Sequence, residues 1–218
     1  CAEPEKIMKI LLTGFEPFAG SPLNPSEQVV RALQTVPPPA LELSPLILPV
    51  DGSRAPGLLQ AALTEHQPDA VLCLGEAGRP VISLERLALN LMDYRIPDNS
   101  GVTVTDQTIR SDGPAAYFSS LPLRPIQTAL LAAGIPCERS LTAGAYLCNQ
   151  VFYTLMDQLA LRDQSIPAGF IHLPSMPEQV ALRGSNQPSM ALDLQVQAIR
   201  IVMQVVFIHK QPASVDLH

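Results

Sequence analysis

The sequence predicts an α/β domain with a mostly parallel sheet between layers of helix. Three observations carry that expectation. The chain has 218 residues, enough for one substantial core without a second domain. Its 47% hydrophobic content excludes a disordered chain, even though only 16% of the residues are charged. Short apolar runs alternate with helical patterns from end to end, the signature of parallel strands joined by helices. No internal repeat, low-complexity tract or interdomain linker interrupts the alternation.

The elements follow in order. Residues 1–7 are expected to be an added or flexible N-terminal segment, and residues 8–218 a single α/β domain. The run Ile7–Thr13 reads as a buried strand ending at Gly14. Asn24 caps a helix over Pro25–Leu33, with proline in its first turn. A strand at Leu43–Val50 carries Pro45 and Pro49, which suits an edge position. Ser53–His66 is a helix and Ala70–Leu74 a short buried strand. Val81–Leu91 reads as one strand whose alternation changes phase after Glu85, so a bulge or twist is expected there. A short strand is expected at Val102–Thr105, a helix at Pro125–Ala133 closed by Gly134, and a helix around Cys148–Leu161. The strand Ala168–Leu173 stops at Pro174, and Ser189–His209 is the long last helix.

Charge and cysteine usage narrow the function. The formal net charge is −6, with no cluster of Lys and Arg, which argues against nucleic-acid binding. The apolar run Ile201–Ile208 is too short to span a bilayer, and Cys1–Lys6 lacks the apolar core of a signal peptide. A cytoplasmic location is expected, with free thiols in a reducing environment. Cys1, Cys73, Cys137 and Cys148 form no C-x-x-C pair, so neither a zinc knuckle nor a thioredoxin-type motif is present. The chain also lacks G-x-S-x-G, H-E-x-x-H and the P-loop pattern. Gly75-Glu76-Ala77-Gly78 reads as a plain turn.

Open α/β sheets bind ligands beyond the carboxyl ends of their strands. Gly14–Phe18, Ala143–Cys148 and His172-Leu173-Pro174 all fall at such ends. Cys148 opens a helical run, where unpaired N–H groups and the helix dipole favour a thiolate and can hold an oxyanion. A small residue filling space beneath the helix occupies the same position. His172 closes an apolar strand, which suits a base facing the crevice or a buried structural histidine. Glu85 interrupts an apolar strand, where a carboxylate needs a partner. Arg86 or another cation is the simplest one, and the third member of a triad is the functional alternative.

Several segments together resemble one family, pyroglutamyl peptidase type I. They are Thr13-Gly14-Phe15-Glu16-Pro17-Phe18, Asn24-Pro25-Ser26 and Ile82-Ser83-Leu84-Glu85-Arg86-Leu87-Ala88-Leu89-Asn90. Arg95-Ile96-Pro97-Asp98-Asn99, Ala143-Gly144-Ala145-Tyr146-Leu147-Cys148-Asn149 and Gly169-Phe170-Ile171-His172-Leu173-Pro174 complete the set, in the family's order. The resemblance implies a single-domain open α/β/α sandwich with a twisted, mostly parallel central sheet, no metal or cofactor, and a homotetramer. It implies a catalytic triad of Glu85, Cys148 and His172, with Arg95 at the oxyanion. It further implies a pocket in which Phe15 and Phe18 hold the pyrrolidone ring, with Ile96, Tyr146 and Leu147 beside them. Asn24 then lies near the substrate carbonyl, and the backbone carbonyl of Glu76 accepts the ring N–H. Glu76 departs from the family's usual residue, the segment Gly78-Arg79-Pro80 is shorter in glycine than in many relatives, and Leu91-Met92-Asp93-Tyr94 is less usual before Arg95-Ile96-Pro97.

The implied activity is hydrolysis of the amide after an N-terminal pyroglutamyl residue of small peptides. A second reading is a thiol amidohydrolase acting on another acyl group. A third is a non-catalytic pyroglutamyl-peptide binder, against which the intact Glu, Cys and His argue.

Overall fold

A computed structural model describes residues 7–210. Most of the expected residues 1–7 segment therefore lies outside the described residues. Eight strands and six helices follow in the order β1 (Met8–Phe15), α1 (Pro25–Thr35), β2 (Leu41–Leu48), α2 (Ala55–His66), β3 (Ala70–Glu76), β4 (Ile82–Glu85), β5 (Leu87–Leu89), β6 (Ala116–Phe118), α3 (Leu123–Ala132), β7 (Cys137–Ser140), α4 (Leu147–Leu161), β8 (Ala168–Leu173), α5 (Pro177–Arg183) and α6 (Leu192–Lys210).

The central sheet has six strands in the order β2-β1-β3-β8-β4-β7. All neighbours are parallel except β4 and β8, which run antiparallel. Strand periodicity splits the side chains between two cores. Leu72, Leu74, Ile171, Leu173, Ile82 and Leu84 join α1, α3 and α6 on one face. Val71, Cys73, Ala168 and Phe170 join α2 and α4 on the other. The sheet therefore lies between two helix layers, an α/β/α sandwich. By length and composition α6 is apolar enough to cross a membrane. Its Ala198, Ile199, Val202, Met203 and Val206 are nevertheless packed in the first core.

Local chemistry explains the boundaries. Asn24 Oδ1 accepts from Ser26 N at 3.0 Å and caps α1, with Pro25 in the first turn. Gly14 lets β1 end against that cap, since a Cβ there would meet the Ser26 carbonyl oxygen at 2.6 Å. Pro45 is tolerated because β2 is an edge strand.

Three expectations need correction. Val81–Leu91 is not one strand: the chain leaves the central sheet at Arg86 and pairs β5 with β6 in a separate two-stranded sheet. Arg86 serves both sheets, its N–H donating to Ser140 O at 2.9 Å and its carbonyl accepting from Ser119 N at 2.9 Å. Val102–Thr105 forms no strand, although Val104 O accepts from Tyr94 N at 2.7 Å. The last helix begins at Leu192, three residues after Ser189. The strand β6 and the short helix α5 were not anticipated, because three and seven residues carry too little periodicity to register.

Candidate active site

The carboxyl ends of β1, β3 and β8 and the start of α4 enclose one cavity of about 250 Å³. Its walls include Phe15, Phe18, Asn24, Glu76, Arg95, Tyr146, Leu147, Cys148 and His172. Ile96 is half-buried and stands outside the lining. Glu85 lies deeper, fully buried in β4.

The pairing of β4 with β8 explains how Glu85 reaches the site. Ser83 pairs with His172 and Leu84 with Ile171. Glu85 is therefore the diagonal neighbour of His172 on the same sheet face, within reach of a long side chain. Its Oε1 lies 2.8 Å from His172 Nδ1. A carboxylate only accepts, so in the neutral imidazole Nδ1 is the nitrogen that carries the proton and Nε2 the one with the lone pair. Phe170 packs its ring beside the imidazole, with centroids 4.9 Å apart, and fixes its plane.

Register also brings Cys148 to the same place. Gly75 pairs with His172 in adjacent parallel strands, and such strands lie about 4.8 Å apart. A Cβ on Gly75 would meet Cys148 Sγ at 2.8 Å. The sulfur therefore rests on the bare backbone of Gly75, beside His172. Gly144, at φ +81°, turns the chain into α4, a conformation that favours glycine. Helix α4 opens at Tyr146 without a side-chain cap, so its first N–H groups are not used by one. Asn149 anchors this helix: Oδ1 accepts from Leu89 N at 2.9 Å, and Nδ2 donates to Leu89 O and Leu91 O.

Electrostatics differ from the simple helix-dipole expectation. Burial of the sulfur, then the Glu85 and Glu76 carboxylates, pushes the Cys148 thiol up to about 12, against a smaller opposing pull from its own backbone N–H. The residue keeps part of its surface open to the cavity, which moderates that burial. The helix start alone therefore does not ionise the sulfur, and a base must take its proton. Cys73, fully buried beneath, is also raised to about 12 by burial and is a core thiol.

The pocket residues have defined supports. Phe15 is buried and Phe18 half-buried, with the Phe18 and Tyr146 rings 6.5 Å apart. Tyr146 stacks edge-on against Tyr94 at 4.9 Å, and its hydroxyl donates to Pro97 O at 3.1 Å. Asn24 Nδ2 donates to Glu16 O at 3.0 Å, which leaves its second N–H for the cavity. The Glu76 carboxylate faces α5, accepting from Ser175 Oγ at 2.6 Å and Gln179 Nε2 at 3.1 Å, with Arg183 at 3.6 Å. Its charge is thus held away from the ring-binding wall.

Sequence reasoning missed Arg79. The buried carboxylate demanded a cation, and Arg86 was the neighbour in sequence, but Arg86 is exposed. Arg79 Nη1 donates to Glu85 Oε1 at 2.8 Å instead. No local signal separates the two arginines. Asp93 and Val50, also in the wall, were likewise not singled out.

The pyroglutamyl peptidase family model, Peptidase C15, matches residues 8–209. The chain belongs to the pyroglutamyl peptidase family. It is 45% identical to the pyrrolidone-carboxylate peptidase of Vibrio vulnificus over 196 residues, covering 89% of this chain and 91% of the relative. It is 46% identical to the pyrrolidone-carboxylate peptidase of Gloeobacter violaceus, covering 91% and 97%. A mutant pyrrolidone carboxyl peptidase from Pyrococcus furiosus superposes with a TM-score of 0.90 at 37% identity, covering 94% of this chain and 100% of that one. The match to this cysteine peptidase family spans every element that lines the cavity.

Proposed function

We propose that this chain hydrolyses the amide after an N-terminal pyroglutamyl residue, with Cys148 as nucleophile, His172 as general base and acid, and Glu85 orienting the imidazole. The observation that carries the reading is the contact of 2.8 Å between His172 Nδ1 and Glu85, which leaves Nε2 free of the acid, with the Cys148 sulfur seated on Gly75, the strand partner of His172. In the first step the Cys148 proton passes to Nε2 as sulfur attacks the carbonyl carbon, forming the C–S bond. The oxyanion is held by N–H groups at the start of α4, with Arg95 at the cavity wall. The C–N bond then breaks and the imidazolium proton goes to the leaving amine. Water, deprotonated by His172, attacks the thioester and releases pyroglutamate, returning the proton to sulfur.

A neutral lactam suits a small cavity walled by Phe15, Phe18 and Tyr146 with few polar groups. The second N–H of Asn24 and the carbonyl of Glu76, both in the cavity lining, would read its polar edges. A prolyl residue lacks the ring carbonyl and would leave such groups unpaired. Pyroglutamyl, prolyl and glutaminyl amides assayed side by side test the reading: only the first should turn over appreciably. Thiol alkylation should inactivate, and pyroglutamate should protect. Equal turnover of the prolyl amide would move the chain to the broader class of thiol amidohydrolases. We extend the proposal to a homotetramer in a reducing cytoplasm, which the free Cys73, Cys137 and Cys148 support as to compartment.

The seat of the sulfur yields a second expectation. In Gly75→Ala the new methyl would stand 2.8 Å from both Cys148 Sγ and Phe170 Cζ. The sulfur must move, and misplacement by about an ångström costs on the order of 10²-fold. We expect kcat to fall about that far while KM changes little, measured with a fluorogenic pyroglutamyl amide. Unchanged kcat would mean the sulfur reacts from elsewhere.

A further inference from the structure

Arg79 reaches three separate segments. Nη1 donates to Glu85 Oε1 at 2.8 Å and to Ser140 Oγ at 3.1 Å, while Nη2 donates to Thr142 O at 2.9 Å. Glu85 ends β4 and Ser140 ends β7, and the two pair in register. Thr142 begins the turn into α4: its hydroxyl accepts from Gly144 N at 3.0 Å, and its own N–H donates to Ser140 Oγ at 3.2 Å. One guanidinium therefore ties the carboxylate beneath His172 to the loop that delivers Cys148. The same Glu85 oxygen receives both Arg79 and His172, while Glu85 Oε2 is buried with no hydrogen-bond partner among the described residues.

We propose that Arg79 is a positioning residue for the reaction, holding Glu85 and the Cys148 loop in register and setting a permanent positive charge beside the acid that holds His172. The proposal rests on the roles given above to Glu85, Cys148 and His172. Only a planar fork makes these three contacts at once, and a lysine offers a single point of charge. The guanidinium lies at the cavity wall with its side chain 28% exposed, where solvent screens it incompletely. Five titratable or charged groups lie around the imidazole, and the Glu76 carboxylate among them is turned toward α5. Glu85 and Arg79 share one oxygen, Cys148 lies over Gly75, and Cys73 is on the same strand face. Glu76, one residue from Gly75, has its carboxylate held by Ser175 and Gln179. Of these only Arg79 brings a permanent positive charge, which opposes the imidazolium.

The test compares wild type with Arg79→Met and Arg79→Gln, which remove the charge, and Arg79→Lys, which keeps it. For the charge-removing variants kcat on a pyroglutamyl amide should fall about 10- to 100-fold with KM within about threefold. The acid limb of kcat/KM should move up by at least about half a pH unit, because the imidazolium loses a repelling neighbour. Arg79→Lys should lose kcat several-fold and keep the limb. The rate of Cys148 alkylation against pH reads the same limb without any peptide substrate, so the result stands even if wild type fails to cleave pyroglutamyl amides. A limb that does not move in either charge-removing variant makes Arg79 a structural strut and overturns the proposal. Unchanged kcat, or loss of the fold in both variants, overturns it equally.

Discussion

Cys148→Ala is expected to lower turnover of pyroglutamyl amides by at least about 10³-fold while leaving the fold intact. Among the described residues the sulfur has no hydrogen bond to another residue that alanine would break: it rests on the Gly75 backbone at the edge of the cavity. The anchor of the helix is the next residue, Asn149, whose side chain holds Leu89 and Leu91. Thermal melting should therefore shift by only a few degrees, as for a small truncation beside a cavity. Cys148→Ser keeps the volume but replaces the thiol with a weaker nucleophile, and should be nearly as inactive. The raised thiol adds a further expectation. Below pH 9 little thiolate forms by free ionisation, since the group is pushed up to about 12. Reaction at neutral pH then requires transfer of its proton to His172, so His172→Ala should also suppress alkylation of Cys148. Activity above about 1% in Cys148→Ala would remove this residue from the chemistry.

Glu85→Gln should cost about 10²- to 10⁴-fold in kcat. Glu85 is fully buried, and its Oε1 receives both His172 Nδ1 and Arg79 Nη1. An amide can keep its oxygen in that place, but its NH₂ then occupies the position of Oε2, which has no hydrogen-bond partner among the described residues. Arg79 also loses its anion. In the flipped orientation the amide donates toward Nδ1 and drives the proton to Nε2, the nitrogen that must be free. Either orientation impairs the base. The buried unpaired donor should also cost about 1–3 kcal/mol of stability. Steady-state kinetics and a denaturant titration of the same preparation separate the two effects. A kcat within about threefold of wild type would show that His172 works without this carboxylate.

Much of the fold was legible because its signals are local. The strand β8 is a continuous buried run, β3 is one up to Glu76 and β1 is one from Ile10 on, and Asn24-Pro25 marks a helix start by cap chemistry. The error at Val81–Leu91 was partly announced by the phase change after Glu85, but one strand crossing between two sheets looks in sequence like one strand with a bulge. The loop 102–105 has strand composition, yet its backbone accepts only from Tyr94 and Asp98, through Val104 O and Val102 O, and builds no ladder among the described residues. The helix α5 and strand β6 are too short for periodicity and exist because neighbours hold them, as Ser120 and Ala168 hold the chain after β6.

The helix start at Cys148, the strand end at His172 and the misplaced acid at Glu85 were each visible as anomalies in the sequence by itself, and the surrounding motifs marked the family. It also determined the α/β class, through the alternation of its apolar runs. The antiparallel pairing of β4 with β8 decided the rest, because that register makes Glu85 the diagonal neighbour of His172. Tertiary structure likewise chose Arg79 over Arg86 as the partner of the acid, turned Glu76 toward α5, and left Ile96 outside the cavity. The physical reason is common to all four: pairing of a buried charge and exposure to a cavity depend on distances between segments far apart in the chain, which local spacing does not encode. Cys148 shows the same division, since its helix start favours a thiolate while burial and two distant carboxylates oppose it more strongly.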